Sequence, residues 1–378
     1  MATAPAKRIY TCTPVAFSGK GGFWSRDTGL ICRSLQKAGV ESKCIMPLPW
    51  RGDEDNKESL IRVSMAELES PEWWKSLQLD GLVLYSWALP KYTKIARAVH
   101  KAGIKVMLHM DRGLCLLPEW DSSQGWLKNM AKRLKMVVFN LLCARHMKYV
   151  DYLSGSLPLI EMLKKSRMYP GSLNERFRAF ATPVAPHFVY NGVPKEERVV
   201  CVGRWSDEKV DEVKRPEFLR AVAEHFVDIS EHVPFEIYGR YGETMRRWYG
   251  NLPEHKKARI KLMGAVPNAQ LVETYCRSMV SICPSRSEGT HIASAEAMNC
   301  GASIVVGPQP QLGVLHWYIS HGAGTIAAKN EPESFARAIA DELDCWRRGE
   351  RDPQRIAAAF NDSFHVDKAI LRIFSEVL

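Results

Sequence analysis

The chain has no run approaching the roughly 20 apolar residues that a membrane-spanning helix needs. Its longest candidate, Met136-Val-Val-Phe-Asn-Leu-Leu-Cys-Ala144, is short and interrupted by Asn140. The first residues, Met1-Ala-Thr-Ala-Pro-Ala-Lys-Arg-Ile9, contain no apolar signal core. Both absences point to a cytoplasmic protein. The ten cysteines include no Cys-x-x-Cys pair and several lie in apolar segments, so they read as reduced core residues rather than metal ligands or disulfides. The eleven histidines form no His-x-x-x-His pair of the zinc-binding kind, and no catalytic metal is expected. Neither a Walker spacing nor a full dinucleotide fingerprint occurs, and there is no internal repeat or low-complexity tract. What remains is a chain of 378 residues, 46% of them hydrophobic, which is enough for two packed α/β cores.

The most informative stretch is Ser285-Arg-Ser-Glu-Gly-Thr-His-Ile-Ala-Ser-Ala-Glu-Ala-Met-Asn-Cys-Gly301, which sets Glu288 and Glu296 across a strand-to-helix turn. Met279 to Pro284 reads as a buried parallel strand, Ala293 to Asn299 as a helix and Gly301 as its stop. The loop between them then lies at a strand's carboxyl end, where open α/β sheets bind ligands. The free amides near Thr290, His291 and Ile292 attract phosphate. Glu296 is placed to accept hydrogen bonds from ribose hydroxyls, and Glu288 to take sugar hydroxyls or carry charge in a transition state. Two solvated surface glutamates would give the same letters.

Further strand, loop, helix units surround this one. Arg198-Val-Val-Cys-Val-Gly-Arg204 is a strand followed by a polar loop and a helix opened by Pro216. Pro234 to Gly242, Ile260 to Val266 and Ala302 to Pro308 supply more strands.

From about Val199 to Gly307 the sequence resembles the donor-binding domain of glycosyltransferase family 4, retaining enzymes of the GT-B fold. The residues that carry the likeness are Val202-Gly-Arg204, Gly264-Ala-Val266, Pro284-Ser285, Glu288-Gly289, Glu296-Ala-Met298 and Gly301. The resemblance implies two Rossmann-like doubly wound α/β domains facing across a cleft, with a C-terminal helix crossing back to the N-terminal domain. It implies that Glu296 contacts the nucleotide ribose and Glu288 sits near the transferred sugar. The amides of Gly289, Thr290, His291 and Ile292 would hold the diphosphate and sugar. Arg204 and a lysine would neutralise the diphosphate. Lys209 has the common spacing from the arginine and Lys214 the common position before the helix; Lys214 is preferred, and both stay open. No cofactor is implied beyond the nucleoside diphosphate sugar as co-substrate.

The N-terminal half reads in the same terms. Arg8 to Pro14 is a first strand, Ser18-Gly-Lys-Gly-Gly22 a flexible turn, and about Arg26 to Ala38 a helix. In the family a glycine-rich loop here faces the cleft, and Gly21 and Gly22 resemble it. Leu82 to Tyr85 and Lys105 to Asp111 are strands joined by a helix from about Tyr92 to Ala102. His109 falls at a strand's carboxyl end, where family members carry a histidine that contacts the donor sugar; a histidine satisfied by backbone is the alternative. Asp111 is a weaker candidate.

Residues 1–200 hold 30 Lys and Arg against 18 Asp and Glu, a net of +12; the remaining 22 and 24 give −2. A field of this sign on the acceptor half favours an anionic acceptor or a membrane surface. Trp126 to Phe139 concentrates it, with Lys128, Lys132 and Lys135 at helical spacing. It reads as a helix lying on anionic headgroups or as a domain helix with a solvated basic face. Nucleic acid is a lower-ranked partner, since no recognisable motif accompanies the charge and acids such as Asp53-Glu-Asp55 interrupt it.

A boundary is expected near Val184 to Arg198, giving an acceptor-side domain of residues 1–190, rejoined by 360–378, and a donor-binding domain of 191–359. The expected activity is transfer of a hexose from a UDP- or GDP-sugar to a hydroxyl of a cell-envelope glycan or lipid-linked acceptor. Peripheral contact with the inner face of the membrane would accompany it. A DNA-base glycosyltransferase, a sugar-nucleotide epimerase of the same fold and an inactive sugar-nucleotide-binding subunit are the alternatives.

Overall fold

The protein's structure is a computed structural model that describes residues 7–50, 54–110, 125–165 and 171–377. It forms two compact units, residues 1–185 with 363–378, and residues 186–362.

The first unit holds β1 (Ile9–Cys12), β2 (Cys44–Pro47), β3 (Leu60–Val63), β4 (Gly81–Leu84), β5 (Lys105–His109), β6 (Tyr152–Gly155) and β7 (Phe177–Ala179). These strands lie in the order β3-β2-β1-β4-β5-β6-β7, parallel throughout. The second holds β8 (Glu196–Trp205), β9 (Phe235–Tyr241), β10 (Ile260–Gly264), β11 (Ser278–Cys283), β12 (Ser303–Val306) and β13 (Gly324–Ile326). Their order is β10-β9-β8-β11-β12-β13, again all parallel. Helices cover both faces of such a sheet, so its central strands are continuous apolar runs rather than alternating ones. Val199, Val200, Cys201, Val280, Ile282, Cys283 and Ile304 to Val306 are accordingly shut off from solvent.

The C-terminal helix Val366–Val377 belongs to the first unit. It packs on the helix Asp27–Lys37, where Asp367 accepts hydrogen bonds from Ser34 at 2.6 Å and from Lys37 at 2.6 Å. The nine described cysteines are free thiols, eight of them buried, as expected of small core residues.

The helix Ile292–Asn299 ends in a Schellman motif, with Ala302 N–H donating to Ala297 O and Gly301 N–H to Met298 O, both at 2.9 Å. Gly301 has φ +77°, and a Cβ there would stand 2.7 Å from the carbonyl oxygen of Pro353. Gly301→Ala is therefore expected to cost about 2 kcal/mol. That lowers the calorimetric melting temperature by roughly 4–8 °C; an unchanged melting temperature would show that the turn relaxes freely.

Candidate functional site

In the second sheet the chain runs outward in both directions from β8, which lies between β9 and β11. The topological switch point is thus the gap between β8 and β11, where the loops leaving their carboxyl ends diverge and open a crevice. Both motif loops leave from there.

At the end of β8 the pleat sends neighbours to opposite sides. Trp205 turns inward, 2% exposed, with its indole N–H donating to Tyr238 O at 2.9 Å, and Arg204 turns outward into solvent. The chain then makes a 3-10 stretch, Lys209–Lys214, and passes through Arg215 in the left-handed region, φ +56°, into the helix Pro216–Ile229. Arg215 is buried, its guanidinium 3.6 Å from the Phe218 ring centre and donating to Asn330 at 2.7 Å. That anchoring fixes the backbone beside Lys214.

Lys214 and Glu288 meet: Nζ to Oε1 is 2.6 Å, with side chains 19% and 12% exposed. Main-chain bonds hold the loops in register, Arg286 N–H donating to Val213 O at 2.8 Å and Glu288 N–H to Gln311 O at 3.3 Å. Lys209 stays exposed. The structure therefore brings Lys214, and not Lys209, to the carboxylate.

Burial alone would push the Glu288 carboxyl up, but the charges of His291 and Lys214 outweigh it and hold it below the ordinary glutamate value. His291 is itself buried, and that burial pushes its imidazole down to about 4. It is neutral at neutral pH, so in the working range Lys214 is the partner that keeps Glu288 ionised. His291 occupies the N-cap position of the helix Ile292–Asn299 and its Nδ1 lies 2.8 Å from Ser294 Oγ. Ser294 N–H already donates to His291 O at 2.9 Å, and the amides of Ile292 and Ala293 ahead of it lie at the positive end of the helix dipole with no carbonyl a turn earlier to accept from them. Gly289, Thr290 and Ile292 are half-buried at this turn. Glu296, also half-buried, lies one turn further on, close enough to raise the buried Tyr275 hydroxyl, which burial has already pushed well above its usual value.

Reading the sequence missed three neighbours. Arg215 and Arg286 add positive charge beside Lys214, near enough for Arg286 to disfavour charge on Arg215, whose chief perturbation is burial. Cys283, at the end of β11, sits with Glu288 and His291 so that one ligand atom of each lies within 4.8 Å of the others. Burial pushes the Cys283 thiol up to about 12, with the charge of Glu288 adding to it. A metal requires the thiolate and an unoccupied carboxylate, whereas here an ammonium already neutralises Glu288. In this arrangement the ammonium of Lys214 is the charge that faces Glu288.

In the first unit, the expected glycine turn is a short helix, Gly21–Trp24, separate from Asp27–Lys37. Trp24 pins it, its buried indole donating to Gly19 O at 2.9 Å and Asp55 O at 3.0 Å. Gly22 is exposed, and a Cβ there would meet nothing within 4 Å. Glu54 is no surface acid. It forms a fully buried ion pair with Arg62 and accepts from Gly19 N–H at 3.2 Å, while Arg62 donates to Pro47 O at 3.0 Å. That clamp fastens the loops leaving β1 and β2.

His109 requires a correction. It is wholly buried, stacked on Tyr85 at 4.4 Å with Phe180 edge-on at 5.8 Å, and Nδ1 and Nε2 lie 3.1 and 2.9 Å from the hydroxyls of Ser154 and Thr182. Burial pushes its imidazole down to about 3. Both nitrogens are spent inside the core, so His109 offers a sugar no free edge. Asp111 lies outside the described residues.

Residues 196–344 match the family model described as Glycosyl transferases group 1. A search of curated protein sequences returns no significant match. Among solved structures, the chain is similar to sucrose-phosphate synthase from Thermosynechococcus elongatus, at 14% identity and TM-score 0.64, covering 98% of this chain and 99% of that one. It is similar to Anabaena HepE in complex with UDP, at 13% identity and TM-score 0.65, and to the lipopolysaccharide outer core galactosyltransferase WaaB, at 14% and 0.63; each covers 98% of this chain and 99% of the other. Identities this low establish the fold, which is GT-B. The family match over β8 to β13 and the fold shared along nearly the whole chain together support a glycosyltransferase.

Proposed function

We propose that the protein is a retaining glycosyltransferase that moves a hexose from a nucleoside diphosphate sugar to a hydroxyl of a cell-envelope glycan or lipid-linked acceptor. The observation that carries this reading is the Lys214–Glu288 pair at the switch point between β8 and β11, in the loop that leads into the helix carrying Glu296. Neighbours of the same fold bound to UDP and to UDP-glucose favour a uridine donor over GDP.

Breaking the anomeric bond puts negative charge on the leaving diphosphate, and preorganised cations and amides stabilise such charge without reorganising. In this reading Arg204, Lys214 and the amides from Gly289 to Ile292 would receive the diphosphate, and Glu296 the ribose. Glu288, kept ionised by Lys214, would orient the sugar and oppose the positive charge growing at its anomeric carbon. The departing phosphate would take the acceptor's proton, so no separate general base is required.

Incubation with each UDP- and GDP-sugar plus pooled envelope glycans and lipids, followed by product analysis, tests the assignment. A new glycoside with the donor's anomeric configuration is expected. An inverted glycoside would contradict retention, an isomerised sugar nucleotide would make the protein an epimerase, and turnover of none would leave a binding subunit.

A further inference from the structure

The helix Trp126–Met147 of the first unit exposes a strip of apolar side chains. Its packed side carries Asn129, Asn140, Cys143, Ala144, His146 and Met147, all buried, where it meets the turn Pro90–Tyr92 and the helix Thr93–Lys101. Its opposite side exposes Leu127, Leu134, Leu141 and Val138 at 75, 64, 57 and 49%, with Met130 and Trp126 extending the strip. Positions 127, 130, 134, 138 and 141 follow the spacing of three and four that keeps side chains on one helical face. Lys128, Lys132 and Lys135 are exposed too, so the solvated basic face of a domain helix is present, with this apolar strip beside it. The helix has 22 residues and is therefore about 33 Å long. No helix among the described residues is long and apolar enough to cross a membrane.

Cations border the strip. Lys128, Lys132 and Lys135 follow one margin, Arg133 lies on the other, Arg145 stands near the end, and the helix contains no Asp or Glu. An apolar strip with basic margins is the profile of a helix lying in the plane of a bilayer interface, its apolar side at the acyl boundary and its cations on headgroup phosphates. A second copy is a poor occupant, since a two-fold contact would set this acid-free helix against itself, cation on cation. The basic excess of residues 1–200 has the same sign.

We propose that this face docks the protein on an anionic lipid bilayer surface. Docking of this kind stands apart from sugar transfer and would hold whatever the second unit's activity.

The test is cosedimentation of the full chain with phosphatidylcholine vesicles, with and without phosphatidylglycerol. Binding to the anionic vesicles is expected, little to the neutral ones, and loss of both in concentrated salt. Replacing Lys128, Lys132 and Lys135 together by Gln should weaken partition roughly 100-fold, at about fivefold per cation. The combined Leu127→Glu, Leu134→Glu and Leu141→Glu variant should not bind, and because these side chains are exposed its melting temperature should match the parent's. Failure of the parent chain to bind anionic vesicles, equal binding to neutral ones, or undiminished binding of the glutamate variant would overturn the assignment. So would a dimer that Leu134→Glu dissolves in a protein with no affinity for vesicles, which would give the face to a second copy.

Discussion

Lys214→Ala lowers turnover of a sugar nucleotide by roughly 10²–10³-fold, whereas Lys209→Ala changes it less than about threefold. The difference follows from geometry. Lys209 is exposed, while Lys214 lies 2.6 Å from a carboxylate that is only 12% exposed. On the proposed reading, removing its ammonium deletes a cation from the diphosphate's place, and at neutral pH it leaves Glu288 buried without an opposite charge. Burial then drives the Glu288 carboxyl upward. The sign of the pH effect is fixed. A carboxyl depressed in the folded state stabilises it above the unfolded value, here the ordinary 4.5, and that contribution fades as pH falls through the depressed value. Lys214→Ala should remove the share that Lys214 supplies and leave that of His291, which gains its charge only near pH 4, so the acid limb of the unfolding profile moves to higher pH, and Lys214→Arg should restore most of the loss. Steady-state kinetics of the three variants, with melting temperature against pH, check both parts. Equal losses at Lys209 and Lys214 would mean that the apparent ion pair is incidental.

Glu288→Gln is expected to reduce kcat by about 10²–10³-fold while changing donor affinity by no more than roughly threefold. Glutamine keeps the size and the hydrogen bonds of the side chain and removes the charge, so a donor that is held by diphosphate and ribose contacts still binds. In the proposed role, what would be lost is the negative charge facing the anomeric carbon as its bond to phosphate breaks, which is felt only in the transition state. Calorimetric titration of the donor beside single-turnover kinetics separates the two effects. A donor affinity that falls in step with kcat would make Glu288 a binding group.

Much of this site was legible in the sequence because local patterning governs it. The apolar run ending at Cys283, the helical segment after it and Gly301 are neighbours in the chain, and the structure places β11, the helix Ile292–Asn299 and its Schellman stop there. The same holds for β8, which runs one residue past the expected end at Arg204, to Trp205. What was not legible depends on residues brought together from afar. Spacing could not choose between Lys209 and Lys214, since the 3-10 stretch between them decides which reaches Glu288, 74 residues on. His109 read as a strand-end ligand because its roof, Tyr85 and Phe180, and its partners, Ser154 and Thr182, lie in other segments. Glu54 read only as one of the acids that interrupt the basic charge, because nothing near it announces Arg62 as a buried partner. The helix Trp126–Met147 showed its basic residues plainly, but periodicity cannot say which side is packed, and two asparagines lie buried there.

The most direct measurement is a calorimetric titration of UDP, and separately of GDP, into the full chain in EDTA, repeated with Arg204→Ala and Glu296→Ala. One nucleotide should bind with one site per chain, at least about tenfold more weakly to each variant. Absence of binding by both nucleotides, or binding that neither substitution disturbs, would contradict a nucleotide-sugar site between β8 and β11.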